Sequence, residues 1–341
     1  MKRILAIAAV LLGAAGAYTA WTLTRPFAGF TEPVLVDIPQ GTSTRSMAAM
    51  LAEKGVLRDP ATFLVLRAIR PAARLQAGEY RFAAPASPLE VFSRLARGDI
   101  HYYELTVPEG ANRFDVAEIA AGLGFFTAEQ FRAASADPSL IRDIAPHAES
   151  LEGYLFPSTY RLTRGTTAPQ LCRRMTGEFR RAWKRVGASA PVHETVTLAS
   201  LIEKETGVPD ERPVVSSVYR NRLARGIKLE CDPTTIYAAI LQNRYRGKIY
   251  RSDLDSTHPY NTYQNTGLPP GPIANAGEAS LRAAANPAET DYIFFVARPD
   301  GSGGHNFSSS LAEHNRAVTE YRRGEQKKNE AKPAARASRR G

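Results

Sequence analysis

Ile38-Pro-Gln-Gly41 and, 69 residues further on, Val107-Pro-Glu-Gly110 decide how this chain is read. Each closes a short apolar run of strand character and leads into a helical pattern, and the two helices stop at Gly55 and Gly124 with the same offset. Around the first copy the pattern predicts a strand over 34–38, helices over 43–54 and 60–69, a returning strand over 78–82 and a helix over 88–97. A second strand-then-helix unit begins at Tyr102. Gly78-Glu-Tyr-Arg-Phe82 has a looser echo in Glu152-Gly-Tyr-Leu-Phe156. Two copies are too few for a solenoid, so the repeat points to duplicated small α/β modules within an α+β chain. The alternative is that Pro-x-Gly is simply a common strand-to-helix turn.

Towards the N-terminus, Ile4 to Leu23 carry no charge, a run long enough to cross a bilayer as a helix. Lys2 and Arg3 precede it and favour a cytoplasmic N-terminus, and Trp21 suits an interfacial anchor. Ala15-Gly-Ala17 offers the rival reading of a cleaved signal peptide. Either way the bulk of the chain is exported.

Towards the C-terminus, 167–186 reads as a basic amphipathic helix with Leu171, Met175, Phe179 and Trp183 on a core-facing stripe. Thr197-Leu-Ala-Ser-Leu-Ile-Glu-Lys-Glu-Thr-Gly207 reads as the next helix, with Thr195 or Thr197 as cap and Gly207 then Pro209 as stop. It sets Glu203 and Glu205 into an apolar run. At about 100° per residue the two point to opposite sides, so they are not a pair sharing one site. They are either solvated acids flanking Lys204, or one of them faces a cleft. Further helices are expected over 214–225 and 236–241, a buried strand over 290–297 and a last helix over 311–321. Pro269, Pro270 and Pro272 make a stiff extended segment beside Tyr260-Asn-Thr-Tyr263. Such a loop suits a sugar cleft, and equally a structural loop packed on the core.

Composition excludes several classes. The 341 residues are 43% hydrophobic, which rules out global disorder. Of the net charge of +10, the stretch 322–341 supplies +6 through eight Lys/Arg and two Glu, and it reads as a disordered basic tail. The remainder carries no aromatic-interleaved basic stripe, so nucleic acid is not an expected partner. Cys172 and Cys231 belong to no CxxC pair, the six histidines show no HExxH spacing, and Gly301-Ser-Gly-Gly-His305 lacks the ending of a phosphate loop. No metal and no cofactor are expected.

Several ordered motifs carry a resemblance. Glu152-Gly-Tyr-Leu-Phe-Pro157, Ala199-Ser-Leu-Ile-Glu-Lys-Glu-Thr206, Asn221-Arg-Leu223, Asp232-Pro-Thr234, Tyr260-Asn-Thr-Tyr263, Gly267-Leu-Pro-Pro-Gly-Pro-Ile273 and Gly303-Gly-His-Asn-Phe307 resemble those of the endolytic murein transglycosylase family, also called MltG or YceG-like. The resemblance covers nearly the whole chain. It departs at Glu230, where family members often carry Gln, and at Ser158, where they often carry Asp.

The resemblance implies an α+β chain in this order: a cytoplasmic N-terminus at 1–3, a transmembrane helix at 4–24, a LysM-like module at 33–103 and a catalytic region at 104–321. The last comprises a second repeat-like subdomain at 104–165 and a core at 166–321. It also implies a single-pass inner-membrane lyase whose periplasmic part cuts nascent peptidoglycan strands, with peptidoglycan synthases (penicillin-binding proteins) as further partners. Glu203 is the implied catalytic residue, and Glu230, Asp232, Tyr260, Asn261, Tyr263, Asn275 and His305 are the implied substrate-binding residues.

One carboxyl group suffices if the nucleophile is the substrate's own C6 hydroxyl, because attack is then intramolecular. Glu203 would need its acidity weakened, and apolar neighbours such as Ile202 could do that by desolvation. Two other readings compete: a non-catalytic glycan-binding scaffold using the LysM-like repeat, and a pyridoxal-phosphate lyase with Lys204 as Schiff base. No phosphate cup accompanies that lysine, and export argues against the second.

Overall fold

α1 (Lys2–Thr24) opens the chain, and only Leu23 near its end is buried. At 1.5 Å per residue its 23 residues span about 35 Å, and it is long and apolar enough to cross a membrane. The computed structural model describes the backbone of residues 1–337 and the side chains of 1–328. It divides into two units, Met1–Glu104 with Arg161–Gly165, and Leu105–Tyr160 with Thr166–Gly341.

In the first unit α1 is followed by β1 (Val34–Ile38), α2 (Thr44–Glu53), α3 (Pro60–Ile69), β2 (Gly78–Phe82) and α4 (Pro88–Arg97). β1 and β2 are antiparallel, with Val34 opposite Phe82 and Ile38 opposite Gly78. The strand period of two turns Val36, Ile38, Tyr80 and Phe82 inward onto Leu51, Phe63 and Phe92. Ser43, Asp59 and Ser87 cap the three helices of the module, each accepting from a backbone N–H of the first turn. Buried Glu79 accepts from Tyr103 Oη at 2.7 Å and from Arg164 Nε at 3.1 Å, which ties the Arg161–Gly165 segment into this unit.

The other copy follows, most of it in the second unit. β3 (Tyr103–Val107) pairs with β4 (Ser158–Leu162) around α5 (Arg113–Ala121) and α6 (Ala128–Ala136), the same strand–helix–helix–strand order as the first. The landmark glycines agree in conformation: φ is +80° and +76° at Gly41 and Gly110, and +71° and +73° at Gly55 and Gly124. Those left-handed angles are why glycine recurs there. The echo of Gly78-Glu-Tyr-Arg-Phe82 lies elsewhere than the pattern suggested. Its counterpart is Ser158-Thr-Tyr-Arg-Leu162, while Glu152-Gly-Tyr-Leu-Phe156 belongs to the turns ahead of β4.

The rest is helical: α7 (Ala168–Val186), α8 (Val192–Glu205), a 3-10 turn at Pro209–Glu211, α9 (Arg212–Ala224), α10 (Asp232–Leu241), α11 (Arg251–Leu254) and α12 (Glu278–Ala285). β5 (Phe294–Ala297) and β6 (His305–Ser308) form an antiparallel hairpin, and α13 (Leu311–Ala337) ends the chain. α8 is buried on every side from Thr195 to Ile202 and packs on α9, α10 and α12, which makes it the central helix.

Three sequence expectations change. α8 starts at Val192, and the Thr195 and Thr197 hydroxyls donate back to the Pro191 and His193 carbonyls instead of capping it. The expected buried strand over 290–297 shortens to β5, which is only half-buried. The tail expected to be disordered from 322 continues α13 as helix to Ala337, in line with its Ala, Glu, Lys and Arg content. Residues 338–341 lie outside the described residues. Cys172 and Cys231 are both free and buried.

Candidate active site

Three segments meet beside the C-terminal turn of α8. They are α8 itself, the Pro108–Asn112 turn after β3, and the buried loop that leads from Pro272 to α12. Asn275 joins the last two. Gly110 N donates to the Asn275 carbonyl and Asn275 N to the Ala111 carbonyl, both at 2.9 Å. Its side chain accepts from Leu155 N at 2.9 Å and donates to Ala111 O at 2.8 Å and to Glu152 Oε1 at 3.1 Å. Glu152, 2% exposed, also takes Arg113 N on both oxygens at 3.1 and 2.9 Å, and Tyr237 Oη at 2.9 Å. Burial pushes its carboxyl from an ordinary 4.5 up to about 7, against the pull of those donors. Ser200 Oγ accepts from Ile273 N at 3.0 Å, and Lys204 Nζ donates to Gly110 O at 3.1 Å. Both bonds fasten the two segments to α8.

Into this frame projects Glu203. Its Oε2 accepts from Gly277 N at 3.0 Å, and its Oε1 lies 3.6 Å from Arg212 Nη2, with side chains only 6% and 11% exposed. Arg212 Nε is buried and has no partner among the described residues. A second carboxylate stands on the other side of Gly277. A methyl group built on Gly277 would lie 1.9 Å from Glu109 Oε1, so the Glu109 head rests directly on that Cα. Burial first, and then the charge of Glu203, raise the Glu109 carboxyl above the usual range, with Arg212 pulling the other way. The surroundings of Glu203 are therefore polar rather than the apolar wrapping expected from Ile202, which is fully buried in the core.

Glu205 points away, as the helix period requires. It accepts from Tyr219 Oη at 2.8 Å, and burial raises its carboxyl. It holds α8 to α9.

The remaining sequence-derived candidates make other contacts. Tyr263 Oη donates to Asp232 Oδ1 at 2.6 Å, and Glu230, at φ +53°, pairs with Arg222 Nη1 at 3.2 Å. His305 donates from its backbone N to Glu211 Oε1 and meets Glu211 Oε2 through Nδ1, each at 2.8 Å. Tyr260 packs its ring 5.2 Å from that of Tyr237. Among the described residues, no hydrogen bond or ion pair joins any of these to Glu203.

Two candidates must be corrected. Asn261 and Asn275 are fully buried. Asn261 donates to the carbonyls of Asp253, Leu254 and Ser256 and accepts from Thr235 Oγ1 and Tyr263 N, which exhausts its amide. Asn275 has both amide hydrogens engaged and is sealed from solvent, so both residues order the loops around them and neither presents a group to a sugar hydroxyl.

Glu109, Arg212 and Gly277 escaped the sequence reading. One signal was present. The two copies of the turn read Pro-Gln-Gly at Gln40 and Pro-Glu-Gly at Glu109, so the carboxylate occurs only in the copy that faces α8. Glu203 and Arg212 at low exposure, with the more exposed Glu109 beside them, make a group whose chemistry suits proton transfer: one acid can be held protonated while the arginine steadies a carboxylate.

A family model described as the YceG-like family matches residues 36–320. The chain is 32% identical over 309 residues to a Bacillus subtilis (strain 168) protein named endolytic murein transglycosylase, covering 84% of each. A protein of the same name from Streptococcus pneumoniae (strain D39) is 27% identical over 322 residues, covering 84% of this chain and 58% of its own. A solved YceG-like protein from Listeria monocytogenes aligns over 84% of this chain and 99% of its own, at 29% identity and a TM-score of 0.54.

Proposed function

The chain belongs to the YceG-like family, and from that premise we propose that it is an endolytic peptidoglycan transglycosylase acting through Glu203. The observation that carries the assignment is the setting of Glu203, nearly buried between the Gly277 N–H and Arg212 with Glu109 alongside.

The substrate is the β-1,4 bond from N-acetylmuramic acid to N-acetylglucosamine. Glu203, protonated, gives its proton to the glycosidic oxygen as the bond to muramyl C1 breaks, and the sugar that leaves carries the new 4-hydroxyl. The carboxylate then takes the proton of the muramyl C6 hydroxyl as that oxygen closes on C1. The products are a 1,6-anhydromuramyl end and a free 4-hydroxyl end; no water is consumed. Arg212, 3.6 Å away, steadies the carboxylate between the two steps. Glu109, whose carboxyl is raised by burial and by the neighbouring Glu203, can keep its proton while Glu203 is charged, so the two need not be anionic together.

The first unit supplies delivery. α1 is read as a single-pass anchor in the inner membrane with the rest of the chain in the periplasm, supported by Lys2 and Arg3 ahead of it. The β1-α2-α3-β2 module is read as LysM-like and glycan-holding, supported by its strand–helix–helix–strand order. Anchorage beside the bilayer would bring the enzyme to strands still emerging from a synthase. That would let it end their elongation.

The test is digestion of purified murein sacculi by the full chain in detergent, with products weighed by mass spectrometry. Anhydromuropeptides released by the wild type and absent with Glu203→Gln are expected. Reducing ends in place of anhydro ends would mean hydrolysis, and sedimentation with sacculi without cleavage would favour the scaffold reading.

A further inference from the structure

Where α1 leaves the proposed bilayer, the first unit encloses a cavity of about 300 Å³ between the last turns of the helix and the module. Its walls include Tyr18, Trp21, Phe27 and the starts of α3 and α4, at Thr62 and Pro88. Two arginines enter it. The Arg25 guanidinium lies 4.7 Å above the Trp21 ring and the Arg58 guanidinium 5.0 Å above the Phe27 ring. Neither has a carboxylate partner within ion-pair distance among the described residues. Asp59 also borders the cavity, but its Oδ1 is engaged by Ala61 N at 2.9 Å as the cap of α3. The N-terminal ends of α3 and α4 add partial positive charge on the same side.

This chemistry is specific in two respects. Unpaired guanidiniums recognise a phosphate oxygen pair, and the stacked aromatic rings hold their planes in place. The apolar remainder sits at the depth where Trp and Tyr girdle a membrane protein, and α1 below it is exposed along its length. A ligand that fits both parts has an anionic phosphate head above and an acyl chain running down α1. Free phosphate satisfies only the upper part.

We infer that this cavity binds the phosphodiester headgroup of an anionic membrane lipid, seating the module on the bilayer surface. The inference rests on the reading of α1 as a membrane anchor.

The experiment uses the full chain with Trp183→Phe, which leaves Trp21 as its one tryptophan. The protein is reconstituted in phosphatidylcholine vesicles doped with increasing phosphatidylglycerol, and the half-point of the Trp21 fluorescence change is read. A saturable response is expected, with the half-point moved about tenfold to higher phosphatidylglycerol in Arg25→Ala/Arg58→Ala. Both arginines are exposed, so the pair of changes leaves the fold intact. Arg70→Ala/Arg74→Ala removes two exposed charges elsewhere in the unit and should leave the half-point where it was. An equal shift in that control, an unmoved half-point in the Arg25/Arg58 variant, or the same response to inorganic phosphate on pure phosphatidylcholine overturns the inference. Flotation separates the two readings. Protein that floats with phosphatidylcholine vesicles yet ignores phosphatidylglycerol defeats the lipid site alone, whereas protein that fails to float defeats the anchor as well.

Discussion

Replacing Glu152 by Gln should make the stability of the second unit less dependent on pH. Four donor contacts converge on this buried carboxyl, and still burial lifts it from 4.5 to about 7. Below about pH 4.5 the group is protonated in both folded and unfolded chains, and its contribution to stability is complete. Between 4.5 and about 7 the unfolded chain gives up its proton while the folded chain keeps it, so stability falls as pH rises. The gap, at about 1.4 kcal/mol per pH unit, is worth about 3 kcal/mol. Glutamine resembles the protonated acid in being neutral, with an acceptor oxygen and a donor group, and does not titrate. The variant should therefore match the wild type near pH 4 and gain on it by up to about 3 kcal/mol at pH 8. Urea unfolding followed by Trp183, which lies in α7 of the second unit, measures the difference and cancels the titration of other groups. A flat difference, or one in which the variant loses ground as pH rises, would show that the three donors outweigh burial and that Glu152 folds as an anion.

Four further outcomes are expected. Glu203→Gln should lower anhydromuropeptide release by about 10²-fold or more at an unchanged melting temperature, because the proton donor is lost and shape is kept. Gly277→Ala should slow cleavage about tenfold: the added methyl meets Glu109 Oε1 at 1.9 Å and displaces that carboxylate, while the N–H that serves Glu203 stays. Full activity in that variant would remove Glu109 from the mechanism. Arg212→Met should leave the Glu203 carboxylate unpaired at low exposure, costing about 3 kcal/mol by urea denaturation and most of the activity. Asn261→Ala should cost about 2–4 kcal/mol through five lost hydrogen bonds, with specific activity per folded molecule preserved; a raised KM at unchanged stability would restore it as a substrate ligand.

The legible parts of the chain were those written in local pattern. The strand alternation around Val36 and Ile38, the 69-residue offset of the two turns and the opposite bearings of Glu203 and Glu205 all follow from periods of a few residues. The illegible parts depend on contacts remote in sequence. Lys204 reaches Gly110 across 94 positions and Glu203 reaches Gly277 across 74, and no local period links them. Amides misled for a different reason. An Asn in a loop is as well suited to satisfying stranded backbone groups as to greeting a sugar, and at Asn261 and Asn275 backbone takes most of it. Likewise the threonines ahead of Glu203 have the composition of a cap, yet their hydroxyls turn back along a helix that began earlier.

The passage from α1 into its module has a mechanical consequence. Leu23 is set in the module core, Phe27 exchanges backbone hydrogen bonds with Ala86 at 3.0 and 3.2 Å, and Gly29 N bonds to Gly55 O at 2.8 Å. A domain on a slack tether explores a hemisphere whose radius grows with the length of its linker. Here the first few residues past the helix are stitched down, so the module behaves as a mast stepped in a deck. With α1 in the bilayer as proposed, it would drift and tilt with the membrane but not reach upward. A glycan-holding role for the module would then make its search two-dimensional at constant height, and lengthening the stitched segment would change what it meets more than how tightly it holds on.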